Sequence, residues 1–232
     1  MSRVGVVLLD IDGTLVQCAG AGRRAIERAV REHCGRPAGD LTGLSLDGST
    51  DRLIIRDAMT LLGAAFDDAA CDAVLARYVV YLGEELRDPA FHVLTGVVAA
   101  LEALRDRSVP HGLCTGNVRD GARLKLARGG LDGYFEWTED AIGGFAADGE
   151  ARDRVVRAAI ARASARLGRT VEPAEALVVG DTPRDIAAAH LVGCPMLAVA
   201  SGRFQAAELA ALGAEHVVDT LADPRALELM LG

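Results

Sequence analysis

The sequence predicts an α/β fold, a parallel sheet covered by helices on both faces, with an all-helical segment inserted after the first strand. Two short apolar runs, Val4–Leu9 and Ala176–Val179, end in polar turns, as strands buried on both faces do. From about Pro89 onward such runs alternate with amphipathic helical stretches at the spacing of βαβ units. Between about Gly20 and Arg87 apolar residues recur only at helical spacing, and no convincing strand appears.

In order, the first strand is Val4–Leu9 and runs straight into Asp10-Ile11-Asp12-Gly13-Thr14. Ala21–His33 is amphipathic through Ala25, Ile26, Ala29 and Val30, and helices are also expected over Asp51–Leu62 and Asp67–Leu86. Gly- and Asp-rich joints at 35–48 and 63–68 separate them. The second half predicts helices over Thr95–Arg107, Asp120–Arg128, Arg152–Leu167, Arg184–Val192, 204–212 and 222–231. Strands are expected at Pro110–Thr115, Ala176–Val179, Met196–Ala200 and His216–Val218, and Gly129 and Gly130 stop the helix before them. There are no internal repeats or low-complexity segments.

With 232 residues, half of them apolar, the chain can bury a sizeable core without disulfides. A net charge of -8 argues against nucleic acid or an anionic membrane as the main partner. No apolar run approaches the roughly 20 residues that span a bilayer. The N-terminal apolar stretch is too short for a signal peptide and lacks a small-residue cleavage site. Five scattered cysteines (Cys18, Cys34, Cys71, Cys114, Cys194) without a C-x-x-C pair point to reduced thiols and a cytoplasmic location. The histidines show no metal-ligand spacing. Lys125 is the only lysine in an otherwise arginine-based set of cations.

Open sheets of this kind bind ligands beyond the carboxyl ends of their strands. Three strand ends run into small, polar loops here: Asp10–Thr14, Thr115-Gly116-Asn117 and Gly180–Asp185. Asp10 and Asp12, two apart, repel each other unless a cation or a reaction needs them together, although an Asx-type turn closing a strand is the plain alternative. A carboxylate nucleophile with a neighbouring acid/base is one chemistry that does. Asp181 and Asp185 flank Thr-Pro-Arg at a helix start, where they could simply cap the helix. Four acids in one crevice nevertheless call for a divalent cation, and oxygen-only ligands favour Mg²⁺ over zinc or copper. Thr115, Gly116 and Asn117 offer neutral donors to a phosphate near a helix N-terminus, although such a turn is often purely structural.

The set Asp10-Ile11-Asp12-Gly13-Thr14, Thr115 and Gly180-Asp181-Thr182-Pro183-Arg184-Asp185 resembles the haloacid dehalogenase superfamily. It is most similar to the phosphoglycolate-phosphatase-like hydrolases, and the resemblance covers nearly the whole chain. It implies a Rossmann-like catalytic core over 1–15 and 89–232 with a helical cap over 16–88. It further implies a Mg²⁺-dependent phosphomonoester hydrolase acting on a small phosphorylated metabolite through an aspartyl-phosphate. Asp10 would be the nucleophile and Asp12 the acid/base. The metal would be held by Asp10, the Asp12 main-chain carbonyl, Asp181 and Asp185, and Thr115 would bind a phosphate oxygen.

The family's usual lysine before the last motif is missing. Arg152 is the first substitute by position and Arg154 the second, while Lys125, in the helix after Thr115, is the rival; Arg152 and Lys125 are both carried forward as phosphate-binding candidates beside Thr115, Gly116 and Asn117. Gly48-Ser49-Thr50-Asp51 is similar to a short cap segment of this branch, and a helix N-cap at Ser49 or Thr50 explains it equally well. Arg23 or Arg24 is a candidate contact for an anionic leaving group, Cys18 a small pocket-lining residue, and Cys114 a packing residue. Metal-free dehalogenation is disfavoured by Asp12, Asp181 and Asp185, and phosphonate hydrolysis by the absence of a cap lysine. A phosphotransferase or phosphomutase of the same superfamily and a non-catalytic phospho-ligand binding protein stay open, as do monomer and homodimer.

Overall fold

The computed structural model describes residues 4–232, so the first three residues of the expected core segment 1–15 lie outside the described residues. The chain runs β1 (Val6–Leu9), β2 (Val16–Gln17), α1 (Ala21–His33), α2 (Asp51–Leu61), α3 (Asp68–Glu85) and β3 (His92–Val93). It continues through α4 (Val97–Asp106), β4 (His111–Cys114), α5 (Arg119–Arg128), β5 (Gly143–Gly144) and α6 (Arg152–Leu167). The last third holds β6 (Ala176–Gly180), α7 (Pro183–Val192), β7 (Met196–Val199), α8 (Ala206–Ala211), β8 (His216–Val218) and α9 (Pro224–Leu231). The sheet has the order β5-β4-β1-β6-β7-β8, and each of its pairings is parallel.

The two-residue period of a strand divides the sheet's apolar residues between two faces. Val7, Leu9, Leu177, Val179, Leu197 and Val199 join one cluster with Leu101 and Leu104 of α4 and Ala226 and Met230 of α9. Their sequence neighbours Val6, Leu8, Ala176, Val178, Met196 and Ala198 join the other, with Val155 and Ile160 of α6 and Ile186 of α7. Burial on both faces is why these runs read as continuous apolar segments in the sequence.

The register fixes where the polar loops meet. Leu9 stands opposite Leu113 on one side and Val179 on the other, so the ends of β4 and β6 flank the end of β1. The chain builds outward from β1 to β4 and β5, then crosses back to β6. The resulting switch point opens a crevice at Asp10.

Expected and observed ends of the common elements differ by a residue or two, the usual fraying. Two features were not expected. Gly143–Gly144 forms the edge strand β5, which glycine content disguises as a loop; a Cβ on Gly144 would lie 2.0 Å from the Val155 carbonyl oxygen, so close approach of α6 requires glycine. β2 and β3 pair antiparallel, Val16 opposite Val93, in a ribbon where the chain leaves for the helical segment and returns.

Within that segment, α1 packs along α3 through the buried faces of Ala25, Ala29, Val74 and Tyr78. The start of α2 is bonded to the sheet side: Asp51 N–H donates to the Gly116 carbonyl (2.7 Å) and the Thr50 hydroxyl to the Glu150 carbonyl (3.0 Å). Arg56 pairs with Glu150, and Asp47 with Arg203.

Leu8 is fully buried at the centre of the sheet. Leu8→Ala is expected to lower the unfolding free energy by about 2–5 kcal/mol, read from the urea midpoint at unchanged m-value.

Candidate active site

Asp10 takes the first position beyond β1, where its backbone N–H still donates to the Val179 carbonyl at 2.9 Å. Its carboxylate is almost fully buried and lies 2.9 Å from Nη2 of Arg152. The same nitrogen is 2.6 Å from Asp185 and donates to the Cys114 carbonyl at 3.1 Å. Arg152 opens α6, and β5 and α6 carry it under the end of β4. Its Nη1 lies 3.0 Å from where a Cβ on Gly116 would stand, against the second loop. Its Nε is buried without a hydrogen-bond partner.

Asp185 occupies the third position of α7, whose N-cap is Thr182. The Asp185 carboxylate accepts from the Thr182 backbone N–H at 3.1 Å and hydroxyl at 2.6 Å, a reciprocal capping box. The capping expectation for this acid therefore holds alongside its place in the site. Asp181 accepts from the Thr14 hydroxyl at 3.1 Å. Gly13 (φ 81°) has the left-handed backbone that lets the first loop turn back, and a Cβ there would strike Asp181 at 2.2 Å.

Asp10, Asp181 and Asp185 each bring a carboxylate oxygen within 4.8 Å of the others. Burial, against the opposing pull of Arg152 and with the repulsion of Asp185 and Asp12, pushes the Asp10 carboxyl up to about 6. Burial and the neighbouring Asp10 and Asp185 push Asp181 well above the ordinary carboxylate range. Arg152 pairs with only two of the three buried acids, Asp10 and Asp185, which leaves a hard-oxygen donor set with surplus negative charge that fits Mg²⁺.

Asp12 has a different partner. Lys125 Nζ reaches its Oδ2 at 2.6 Å and donates to Asn117 Oδ1 at 2.6 Å. The Asn117 amide in turn donates to Asp12 Oδ2 and to the Thr115 hydroxyl, both at 2.8 Å. Burial works against the Asp12 charge, but the Lys125 ammonium and the bonds from Lys125 and Asn117 hold its carboxyl below the usual range. Lys125 is buried and reaches this point because a helical side chain leans toward its own N-terminus.

The two rival cations thus both enter the crevice, one on each of the first two acids. Asn117 is occupied with Asp12, Thr115 and Lys125, while Thr115, Gly116 and Arg152 line a cleft of about 290 Å³ with Asp10, Asp12 and Asp181. Arg23 also lines it, held by Glu27 and the Leu44 carbonyl; Arg24 does not, being paired with Glu85 and Asp88. Cys18 lines the cleft, and Cys114 packs in the core against the α6 face.

Four contributors escaped sequence reasoning. Asp51 follows the N-cap Thr50, and its buried carboxylate accepts from the Val118 backbone N–H at 2.8 Å. The Asp51 position was visible in Gly48–Asp51, but not which way it turns. Ser201 donates to the Gly13 carbonyl at 2.7 Å, and Gly202 abuts Asp181 so closely that a Cβ would lie 1.9 Å away. A Ser-Gly pair after a strand carries no signal of that. Tyr78 lines the cleft from α3, where its spacing with Val74 and Leu82 reads only as packing.

Known proteins resemble this chain over most of its length. The family model of haloacid dehalogenase-like hydrolases matches residues 4–193. A phosphoglycolate phosphatase of Rhodospirillum rubrum is 31% identical, over 93% of this chain and 87% of that protein. A validoxylamine A 7'-phosphate phosphatase of Streptomyces hygroscopicus subsp. limoneus is 30% identical, over 81% of this chain and 82% of that protein. The crystal structure of a family IA, variant 3 hydrolase from Entamoeba histolytica superposes with a TM-score of 0.73 at 18% identity, covering 98% of this chain and 99% of that one, which speaks to the fold alone.

The raised acids set a pH dependence. Asp10 and Asp51 are each pushed by burial to about 6 from 3.8, so between those values the folded protein holds more protons than the unfolded chain. Stability then falls as pH rises through that window. In EDTA the melting temperature is expected to be lower at about pH 7 than at about pH 4.5, and Asp51→Asn to reduce the difference.

Proposed function

The chain belongs to the haloacid dehalogenase-like hydrolases and is a phosphatase, and from that premise we propose a Mg²⁺-dependent phosphomonoester hydrolase that works through an aspartyl-phosphate on Asp10. The observation that carries this reading is the setting of Asp10: a buried carboxylate at the switch point of the sheet, 2.9 Å from Arg152, beside Asp181 and Asp185. The Asp10 carboxylate attacks phosphorus, and the bond to the leaving oxygen breaks. Asp12, protonated in the substrate complex, gives that oxygen its proton. A phosphate dianion brought against Asp12 raises its proton affinity by like-charge repulsion, which offsets the pull of Lys125. Asp12 then takes a proton from the water that attacks the aspartyl-phosphate, releasing phosphate and restoring Asp10.

The Asp10, Asp181 and Asp185 carboxylates and the Asp12 carbonyl would hold Mg²⁺. Bound there, the ion neutralises charge on the transferring phosphoryl group. Arg152 takes the role of the missing lysine, joining Asp10 to Asp185 and offering Nη1 at the Thr115–Gly116 turn. Thr115 and Gly116 bind phosphate oxygens. Lys125 and Asn117 act mainly on Asp12.

Residues 16–88 form the cap over a core of 1–15 and 89–232, a division supported by the β2–β3 ribbon at its neck and by Arg23 and Tyr78 lining the cleft. The substrate is a small phosphorylated metabolite handled in the cytoplasm. Phosphoglycolate, named in the Rhodospirillum rubrum relative, is the first compound to try, and a cleft of about 290 Å³ suits a molecule of that size.

Phosphate release from p-nitrophenyl phosphate and a metabolite panel, with Mg²⁺ and with EDTA, tests the reading. Turnover is expected with Mg²⁺, is lost in EDTA, and drops at least about a thousandfold in Asp10→Asn. Turnover that survives both treatments would overturn the proposed chemistry.

A further inference from the structure

Beside Asp12 two strong donors are left over. An ammonium carries three N–H donors, and Lys125 spends two of them on Asp12 and Asn117. The third has no acceptor among the described residues. The Tyr78 hydroxyl likewise has no hydrogen-bond partner among them, although the residue is only 1% exposed and lines the cleft. Both groups converge on one spot: a Cβ on Gly22 would stand 3.5 Å from Lys125 Nζ and 3.9 Å from the Tyr78 oxygen.

Gly22 is not needed there by the backbone. It lies in the first turn of α1 with ordinary helical geometry, where alanine makes the better helix. Its missing side chain instead leaves a small recess, walled by Cys18, under the two donors. Both donors open to the cleft with no protein acceptor left for them, so an oxygen that arrives with a ligand can take them.

Its place relative to Asp12 says which part of the ligand. Lys125 touches the carboxylate assigned above to the leaving oxygen, whereas the phosphate donor Thr115 lies across Asn117 from it. An acceptor of the third ammonium proton therefore stands a few ångströms from the leaving oxygen, the span of two carbons. Resting on the hydrolase reading above, we propose that Gly22, Tyr78 and Lys125 form a leaving-group subsite. It takes an acceptor oxygen, of a carboxylate or a hydroxyl, on the carbon next to the phosphorylated one. A site that hydrogen-bonds such an oxygen disfavours an analogue lacking it, because the two donors then lose that acceptor as the cleft fills.

The test uses three two-carbon esters of equal length: 2-phosphoglycolate, 2-hydroxyethyl phosphate and ethyl phosphate. Steady-state kinetics on the Mg²⁺-loaded full chain are expected to favour the better oxygenated ester over ethyl phosphate by about 10–100-fold in kcat/KM, mainly through KM. Whichever oxygenated ester leads identifies the acceptor as carboxylate or hydroxyl, and either supports the subsite. Tyr78→Phe is expected to cut the preference about tenfold. Gly22→Ala, which fills the recess with a methyl at ordinary contact distance, should cut it as well and guards against a folding defect in the first variant. Ethyl phosphate turned over as well as the other two, or a preference unchanged in both variants, overturns the proposal.

Calorimetric binding of the same esters to Asp10→Asn separates the two readings. No turnover in the wild type, with Tyr78-dependent selective binding, keeps the subsite and removes the hydrolase. Hydrolysis without selectivity removes the subsite alone, and neither turnover nor selective binding removes both.

Discussion

Charge balance at the end of β1 is the constraint on which the rest depends. Asp10, Asp181 and Asp185 are buried together, and among the described residues the cation against them is Arg152, which pairs with Asp10 and Asp185 but not with Asp181. Low-dielectric surroundings make that imbalance expensive, and the upward drift of the Asp10 and Asp181 carboxyls is its direct sign. Each local device around them reduces it: the Thr14 hydroxyl on Asp181, the Thr182 cap on Asp185, and the positive end of α7 beneath both. What the protein groups leave uncompensated is a deficit that a bound divalent cation would offset.

The two buried cations divide the work by their shapes. A planar guanidinium can present separate nitrogens to the acids and to the Gly116 turn, so Arg152 spans Asp10, Asp185 and the second loop. A compact ammonium suits the tighter corner at Asp12, where Lys125, Asn117 and Thr115 form one chain of hydrogen bonds. That chain ties Asp12 to the second loop, so a change at either position is felt by the other.

The sheet was legible because burial on both faces writes apolar runs such as Val6–Leu9 directly into the sequence, and the three loop motifs follow from where those runs stop. The acids were legible because four carboxylates at strand ends have few structural excuses. What escaped depends on tertiary approach. Gly143–Gly144 is a strand only because β4 is beside it and α6 lies across it. Tyr78 looks like core until the fold opens a recess next to it. Whether Arg152 or Lys125 meets Asp10 is undecidable from spacing alone, since α5 and α6 follow the neighbouring strands β4 and β5 and the answer lies in which helix is carried inward.

The central strand is made first, and its neighbours come late. Thr14 and Asp181 are 167 positions apart, so the acidic centre cannot assemble until most of the chain has left the ribosome. The order of arrival matters electrostatically. Arg152 is synthesised before Asp181 and Asp185, so the counter-cation is already attached to the chain when the last two carboxylates emerge. The nascent protein never has to gather those acids around Asp10 without it. A translation product stopped short of β6 would carry Asp10 on an apolar strand with one edge unpaired, without the two later acids and exposed to aggregation.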